Sequence, residues 1–315
     1  MYYIGIDLGG TNIAGGVVDD KGKIIVKSSR PTLFENGPQQ IKEGMHALAL
    51  ELTAQAGLTP DDIAGIGIGT PGIIRKSDGR IIVSSNLPFD ETPVLDSFLP
   101  EFTCPAYLEN DANAAALGEA TSGAAAGCSS SLMVTLGTGV GGGIVIGGRV
   151  YSGINDAAGE IGHTVIVYGG KKCGCGRRGC WEQYASVNAL VAQTKEAMQA
   201  HPESSMHAWC QRNGQVNGRT AFDEAKRGDE TAKAVVEQYI EYVGCGLVNM
   251  VHIFQCEVIV IGGGISKEGD YLLKPLIHIV ERDRYTKNCV QTEIRQAQLG
   301  NDAGIIGAAM TGKGL

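Results

Sequence analysis

Three cysteines of this chain fall within eight residues, Cys173, Cys175 and Cys180, and His163 stands just upstream. One imidazole with three thiolates is a closed tetrahedral zinc set, with no position left for water. Such a site is structural, ordering a loop rather than performing chemistry. Gly174, Gly176 and Gly179 let the loop wrap a small ion. Arg177 and Arg178 bring positive charge that lowers thiol pKa values. A redox pair or free thiols is the competing reading. Glu160 and Glu182 flank the set, three residues before His163 and two after Cys180. Carboxylates and an imidazole on an ordered loop are good partners for vicinal sugar hydroxyls, whereas a lone Glu is usually solvated surface.

A second chemistry lies in the glycine turns. Asp7 ends an apolar run just before Gly9-Gly10-Thr11-Asn12. A carboxylate there can hold Mg²⁺, and the glycines let backbone N–H groups approach a phosphate. Thr11 and Asn12 add side-chain donors. One such turn reads as a plain hairpin. A second copy, Leu136-Gly137-Thr138-Gly139, shifts the reading, because two such turns can clasp a triphosphate. A third cluster, Gly262-Gly263-Gly264, is weaker and suits the flat face of an adenosine. No G-x-x-x-x-G-K-[ST] is present, so a P-loop is excluded. Gly137 to Gly142 matches a bare G-x-G-x-x-G, yet a strand pattern follows it, so a dinucleotide site is discounted. Asp111, in Glu109-Asn110-Asp111-Ala112-Asn113, stands where a strand pattern meets a helix pattern. There a helix cap and a catalytic base are equally good local readings.

The elements that must position these groups are legible as periodicity. Strands are expected at 2–8, 13–18, 23–28, 63–68, 132–136, 143–146 and 258–261, and one ending at Glu109. Helices are expected at 38–57, 112–119 and 231–255, with a short amphipathic helix at 301–311. The helix at 231–255 has apolar residues on more than one face, which permits self-association. Strand, glycine turn and returning strand occur once in each half, implying a duplicated fold with a ligand between the halves.

The bulk numbers set the class. A chain of 315 residues with 43% hydrophobic content fits two domains. The net charge of -8 argues against a nucleic-acid partner. The opening MYYIGIDLGG is already strand and turn, so no targeting segment is expected, and no apolar run suits a membrane span. A cytoplasmic location follows, in which the 9 cysteines read as thiols or metal ligands.

Taken in order, Asp7-x-Gly9-Gly10-Thr11, Gly69-Thr70-Pro71-Gly72, Glu109-Asn110-Asp111-x-Asn113, Gly137-Thr138-Gly139-x-Gly141, Glu160-x-Gly162-His163, Cys173-x-Cys175-x4-Cys180-x-Glu182 and Gly262-Gly263-Gly264 resemble the ROK family of bacterial repressors, open reading frames and sugar kinases. The resemblance spans nearly the whole chain, and its cysteine motif is the most specific part. It implies an α/β, two-lobed, actin-like ATPase fold of ribonuclease H type, with ATP, Mg²⁺ and sugar between the lobes. The lobes are expected at 1–112 plus 301–315 and at 113–300, the latter carrying the zinc loop. The motifs look most like those of the family's glucokinases, which implies ATP-dependent phosphorylation of a hexose 6-hydroxyl, glucose foremost. By the same resemblance Asp111 is the base, and Asn86, Asn110, Glu160, His163 and Glu182 bind the sugar. His163 then gives one ring nitrogen to zinc and the other to the sugar.

Kinases of N-acetylmannosamine, fructose or allose share these motifs, and polyphosphate is an alternative donor. The residues that choose among sugars are expected within 70–90 and 150–160. A sugar-responsive repressor is disfavoured, since no room for a helix-turn-helix precedes the first motif. The intact Asp7, Asp111 and paired turns disfavour a non-catalytic sugar binder. A homodimer or higher homo-oligomer is expected from the family.

Overall fold

The structure, a computed structural model, describes every residue except Ser85, Leu99 and Leu315. The chain opens with an antiparallel meander, β1 (Tyr2–Leu8), β2 (Asn12–Asp19) and β3 (Ile24–Pro31), followed by α1 (Pro38–Gln55) and β4 (Ile63–Thr70). A small three-stranded sheet interrupts: β5 (Ile73–Arg75), β6 (Arg80–Val83) and β7 (Asp90–Pro93). Then come β8 (Ala106–Asn110), α2 (Asp111–Ser122), β9 (Ser130–Leu136), β10 (Val140–Ile146) and β11 (Arg149–Val150). The remainder is mainly helical: α3 (Glu182–Ala185), α4 (Val187–Ala200), α5 (Met206–Asn213), α6 (Thr220–Lys226) and α7 (Glu230–Phe254). It closes with β12 (Val258–Gly262), α8 (Asp270–Asp283), β13 (Glu293–Gln296) and α9 (Asp302–Gly312).

The two larger sheets have the same plan, β3-β2-β1-β4-β8 and β11-β10-β9-β12-β13. In each, the first strand is central, the meander lies on one side and the later strands on the other. This matches the duplication expected from the repeated glycine turns.

The chain divides into two compact units, residues 1–133 with 142–159 and 297–315, and residues 134–141 with 160–296. These bounds differ from the expected lobes in that residues 113–133, with α2, and residues 142–159 stay with the first unit. In that unit the alternation of β1 sorts its residues. Ile4, Ile6 and Leu8 join Ile66, Ile68 and the α1 residues Ile41, Met45, Leu48 and Leu52 in one core. Each such buried side chain contributes about 1.5–3 kcal/mol. On the opposite side Tyr3 packs with Leu117 and the α9 residues Ile305, Ile306 and Ala309.

That second layer is built on backbone-to-backbone approach. A Cβ at Gly67 would lie 1.7 Å from the Ala308 carbonyl oxygen, and one at Gly307 would lie 1.6 Å from that of Ala114. Only glycine fits there. The tail helix was expected to be amphipathic, but α9 is buried from Ile305 through Gly312. Its small residues seat it between the sheet and α2, so it has no solvent face to mark with polar residues.

In the second unit α7 is the central helix. Val236, Ile240, Val243, Leu247 and Met250 are buried as the periodicity predicts, but so are Val235, Tyr239, Val248 and Val251. Helices α3, α4, α6 and α8 pack around it. Val235, Tyr239, Val248 and Val251 on its other faces are thus covered within its own unit, while Ile253 stays exposed. Among the described residues, no helix is long and apolar enough to cross a membrane.

Candidate active site

The first unit holds Asp7, Gly9, Gly10, Thr11, Asn12, Asn86, Asn110 and Asp111. Strand β1 delivers Asp7 to the head of the first glycine turn. The turn is closed by Gly9 N–H to the Asn12 carbonyl at 2.9 Å, and braced by Thr32, whose hydroxyl donates to the Gly9 carbonyl at 2.7 Å. A Cβ at Gly10 would lie 3.4 Å from the Asn86 Cβ, so the structure brings Asn86 to this turn. Asp7 lies against the first turn of α9, where a Cβ at Gly304 would meet its Oδ2 at 2.5 Å. Burial, and then the Asp111 charge, raise the Asp7 carboxyl to about 6.

At the β8–α2 junction the cap and the base separate. Asn110, in extended backbone, is the N-cap: its Oδ1 accepts from Ala112 N–H at 3.0 Å and Asn113 N–H at 3.3 Å. Asp111 is the first helical residue, and its Oδ1 accepts from Ala112 N–H at 2.9 Å. Asp111 remains open to solvent, yet enough protein surrounds it that desolvation raises its carboxyl above the usual range. Asn110 also donates to the Gly72 carbonyl at 3.4 Å.

Beneath the junction lies Glu109, 2% exposed. It accepts from Asn110 N–H at 3.0 Å and from Asn113 Nδ2 at 3.1 Å, and pairs with Lys76 Nζ at 2.6 Å. Sequence reasoning quoted Glu109 only as part of a motif and missed Lys76. No local signal marks that lysine, because its partner is 33 residues away.

The second unit holds Gly137, Thr138, Gly139, Glu160, His163, the three cysteines, Glu182 and Gly262, Gly263 and Gly264. His163 Nδ1, Cys173 Sγ, Cys175 Sγ and Cys180 Sγ converge, with candidate ligand atoms all within 4.8 Å of one another. Cys173 Sγ lies 3.5 Å from His163 Nδ1, and Cys175 Sγ 3.7 Å from Cys180 Sγ. Tetrahedral edges built from Zn–S and Zn–N bonds of about 2.3 and 2.0–2.1 Å come to roughly 3.5–3.8 Å, so the donor set fits zinc. Burial, then its neighbouring thiols, push Cys180 up to about 12, whereas the backbone N–H of Arg177 holds Cys175 low. A divalent cation relieves the mutual repulsion of such sulfurs as thiolates. The Arg177 guanidinium donates to the His163 carbonyl at 3.2 Å, and Arg178 donates to the Gly170 carbonyl at 2.9 Å. The second arginine thus braces the loop rather than tuning a thiol.

The far nitrogen of His163, Nε2, lies 3.9 Å from Oε2 of the exposed Glu160. Glu182 begins α3 and turns to the second glycine turn, where its Oε2 accepts from Val140 N–H at 3.2 Å. A Cβ at Gly139 would lie 2.3 Å from that oxygen, so the glycine admits the carboxylate. Trp181, fully buried, anchors the loop: its Nε1 donates to the Tyr242 carbonyl at 2.9 Å and its ring covers Gly246 of α7. Gly263, with φ of +83°, lies against Leu136, where a Cβ would sit 2.3 Å from the carbonyl oxygen. Its glycine is required by the adjoining turn itself, while Gly137 and Gly264 face open space.

A family model described as ROK family matches residues 3–314. The chain is 39% identical over 308 residues to the "Glucokinase" of Halalkalibacterium halodurans, covering 97% of this chain and 93% of that protein. Among solved structures it is similar to a ROK family glucokinase from Streptomyces griseus in complex with glucose and AMPPNP (33% identity, TM-score 0.81, 100% of both chains). It is also similar to the ROK hexokinase from Thermus thermophilus (36% identity, TM-score 0.86, 99% of this chain and 98% of that one). The expected fold, that of the actin-like ATPases, is thereby shown.

Proposed function

The chain belongs to the ROK family, and on that premise we propose that it is an ATP-dependent kinase of a hexose 6-hydroxyl, with glucose the foremost substrate. One observation of this chain carries the reading furthest. Asn110 takes over the capping of α2 and leaves Asp111 an accessible carboxylate at the head of that helix.

In the proposed reaction the sugar O6 forms a bond to the γ-phosphorus while the bond to the β,γ-bridging oxygen breaks and ADP leaves. The O6 proton passes to Asp111. General-base help of this kind is worth a factor of about 10² to 10⁴, and most of the acceleration in phosphoryl transfer comes from positioning and charge stabilisation. Asn86, Asn110, Glu160, Glu182 and His163 Nε2 orient the sugar hydroxyls. The turns at Gly9–Asn12 and Gly137–Gly139 offer N–H groups to the phosphates, and Gly262–Gly264 receives the adenosine. Magnesium carried with ATP neutralises phosphate charge, and Asp7 is the carboxylate placed to hold it. Zinc at His163, Cys173, Cys175 and Cys180 orders the loop that bears Glu160 and Glu182.

A coupled ADP-release assay across hexoses and N-acetylhexosamines tests this. Glucose is expected to lead by at least about tenfold in kcat/KM, about 1.4 kcal/mol of transition-state discrimination. A lead by N-acetylmannosamine, fructose or allose would reassign the substrate. No sugar-stimulated ADP release would overturn the kinase reading.

A further inference from the structure

Lys76 ties together three segments of the first unit. Its backbone N–H donates to Asp156 Oδ2 at 2.9 Å, and its Nζ donates to Ser152 Oγ at 3.1 Å and Glu109 Oε2 at 2.6 Å. Asp156 has φ of +60°, a left-handed conformation that a non-glycine residue adopts at a cost. The hydrogen bond from Lys76 gives that conformation a reason, since a short acidic side chain there reaches back to the 73–83 hairpin. Through Glu109 the same lysine reaches Asn110 N–H and the Asn113 amide. The hairpin is held a second time, by the bond from Asn110 Nδ2 to the Gly72 carbonyl.

We propose that Lys76 is a positioning residue that latches the hairpin at 73–83 and the loop at 151–159 to the Asn110–Asp111 junction, and so sets the affinity for the sugar. The inference rests on the hexose-kinase reading. The two latched segments fall within the stretches, 70–90 and 150–160, where sugar discrimination is expected. The hairpin leads directly to Asn86, and the loop leads directly to Glu160. The ammonium also supplies the charge partner of a carboxylate that is 2% exposed. Replacing it alone would strand that carboxylate, so the cleaner variants remove the charge at both ends or cut the loop contacts only.

The test compares wild type with Lys76→Met/Glu109→Gln, Ser152→Ala/Asp156→Gly and Lys76→Arg. For the first two, KM for glucose is expected to rise about tenfold or more, with KM for ATP within about twofold and kcat falling less than the sugar term. Thermal midpoints should stay near wild type, while amide exchange across 151–159 accelerates. Lys76→Arg should recover most of the sugar affinity. Unchanged KM for glucose in both double variants, or equal losses for glucose and ATP, would overturn the latch while leaving the kinase reading intact. A wild type that turns over no hexose would overturn both.

Discussion

At the scale of single residues, the division of labour between Asn110 and Asp111 makes the sharpest prediction. Asp111→Asn should keep the fold and sugar binding but lose about 10² to 10⁴ of kcat. Purified, folded variant with wild-type turnover would sink its role as base. Asp7 gives a pH dependence with a definite sign. Its folded value of about 6 lies above the unfolded value of about 3.9. Ionising it therefore costs stability as pH rises from about 4 to about 6, and that cost persists above 6. Asp7→Asn should accordingly raise the melting temperature of the ligand-free protein at neutral pH while weakening MgATP by at least about tenfold. In wild type, kcat/KM for ATP should fall on acidification through about 6, because a protonated Asp7 cannot take a cation. A profile flat down to pH 5 would contradict the assignment.

At the scale of elements, two packings decide what substitutions do. The loop that carries Cys173, Cys175 and Cys180 gathers its candidate ligands at one end and is anchored at the other by Trp181, which packs against α7. Cys175→Ala should release zinc, measurable by metal analysis, and lower activity together with melting temperature, as losses in closed structural sites do. Wild-type protein without zinc would remove the cluster reading altogether. The α9 layer depends on glycine for a different reason. Gly307→Ala places a methyl 1.6 Å from the Ala114 carbonyl oxygen, so backbone must move. Overpacking of this kind costs about 1–3 kcal/mol or more, and a denaturant midpoint lowered without a change in slope would report it.

For the whole molecule, ligand linkage is the relevant measure. If glucose and a non-hydrolysable ATP analogue bind only the folded chain, each at about 100 times its Kd should add about 2.7 kcal/mol. A thermal shift of several degrees with glucose, absent with a non-substrate hexose, would support the substrate assignment. The order of events along the chain was largely legible beforehand. The repeated strand and glycine turn foretold two sheets of one plan, and the apolar periodicity of α7 foretold its length. What escaped were the small sheet β5–β7, the helices α3–α6 and α8, and contacts far apart in sequence. The tail helix was expected to be amphipathic because periodicity sees only its own residues, not the sheet and α2 that enclose it. Likewise Val235, Tyr239, Val248 and Val251 of α7 are covered by neighbouring helices, which periodicity alone does not show.

The sequence by itself determined the sulfur–imidazole cluster, because its candidate ligands lie within eighteen residues and the intervening glycines leave the backbone free to gather them. It determined the two glycine turns for the same reason: turn chemistry is local. The tertiary structure alone decided which of Asn110 and Asp111 caps the helix, since both residue types serve and only backbone angles distinguish them. It alone joined Glu182 to the Gly137–Gly139 turn, 42 residues away at Val140, and Lys76 to Glu109, Ser152 and Asp156, separated by 33, 76 and 80 residues. Pairings over such distances follow from strand order and close helix packing, which no window of neighbouring residues contains.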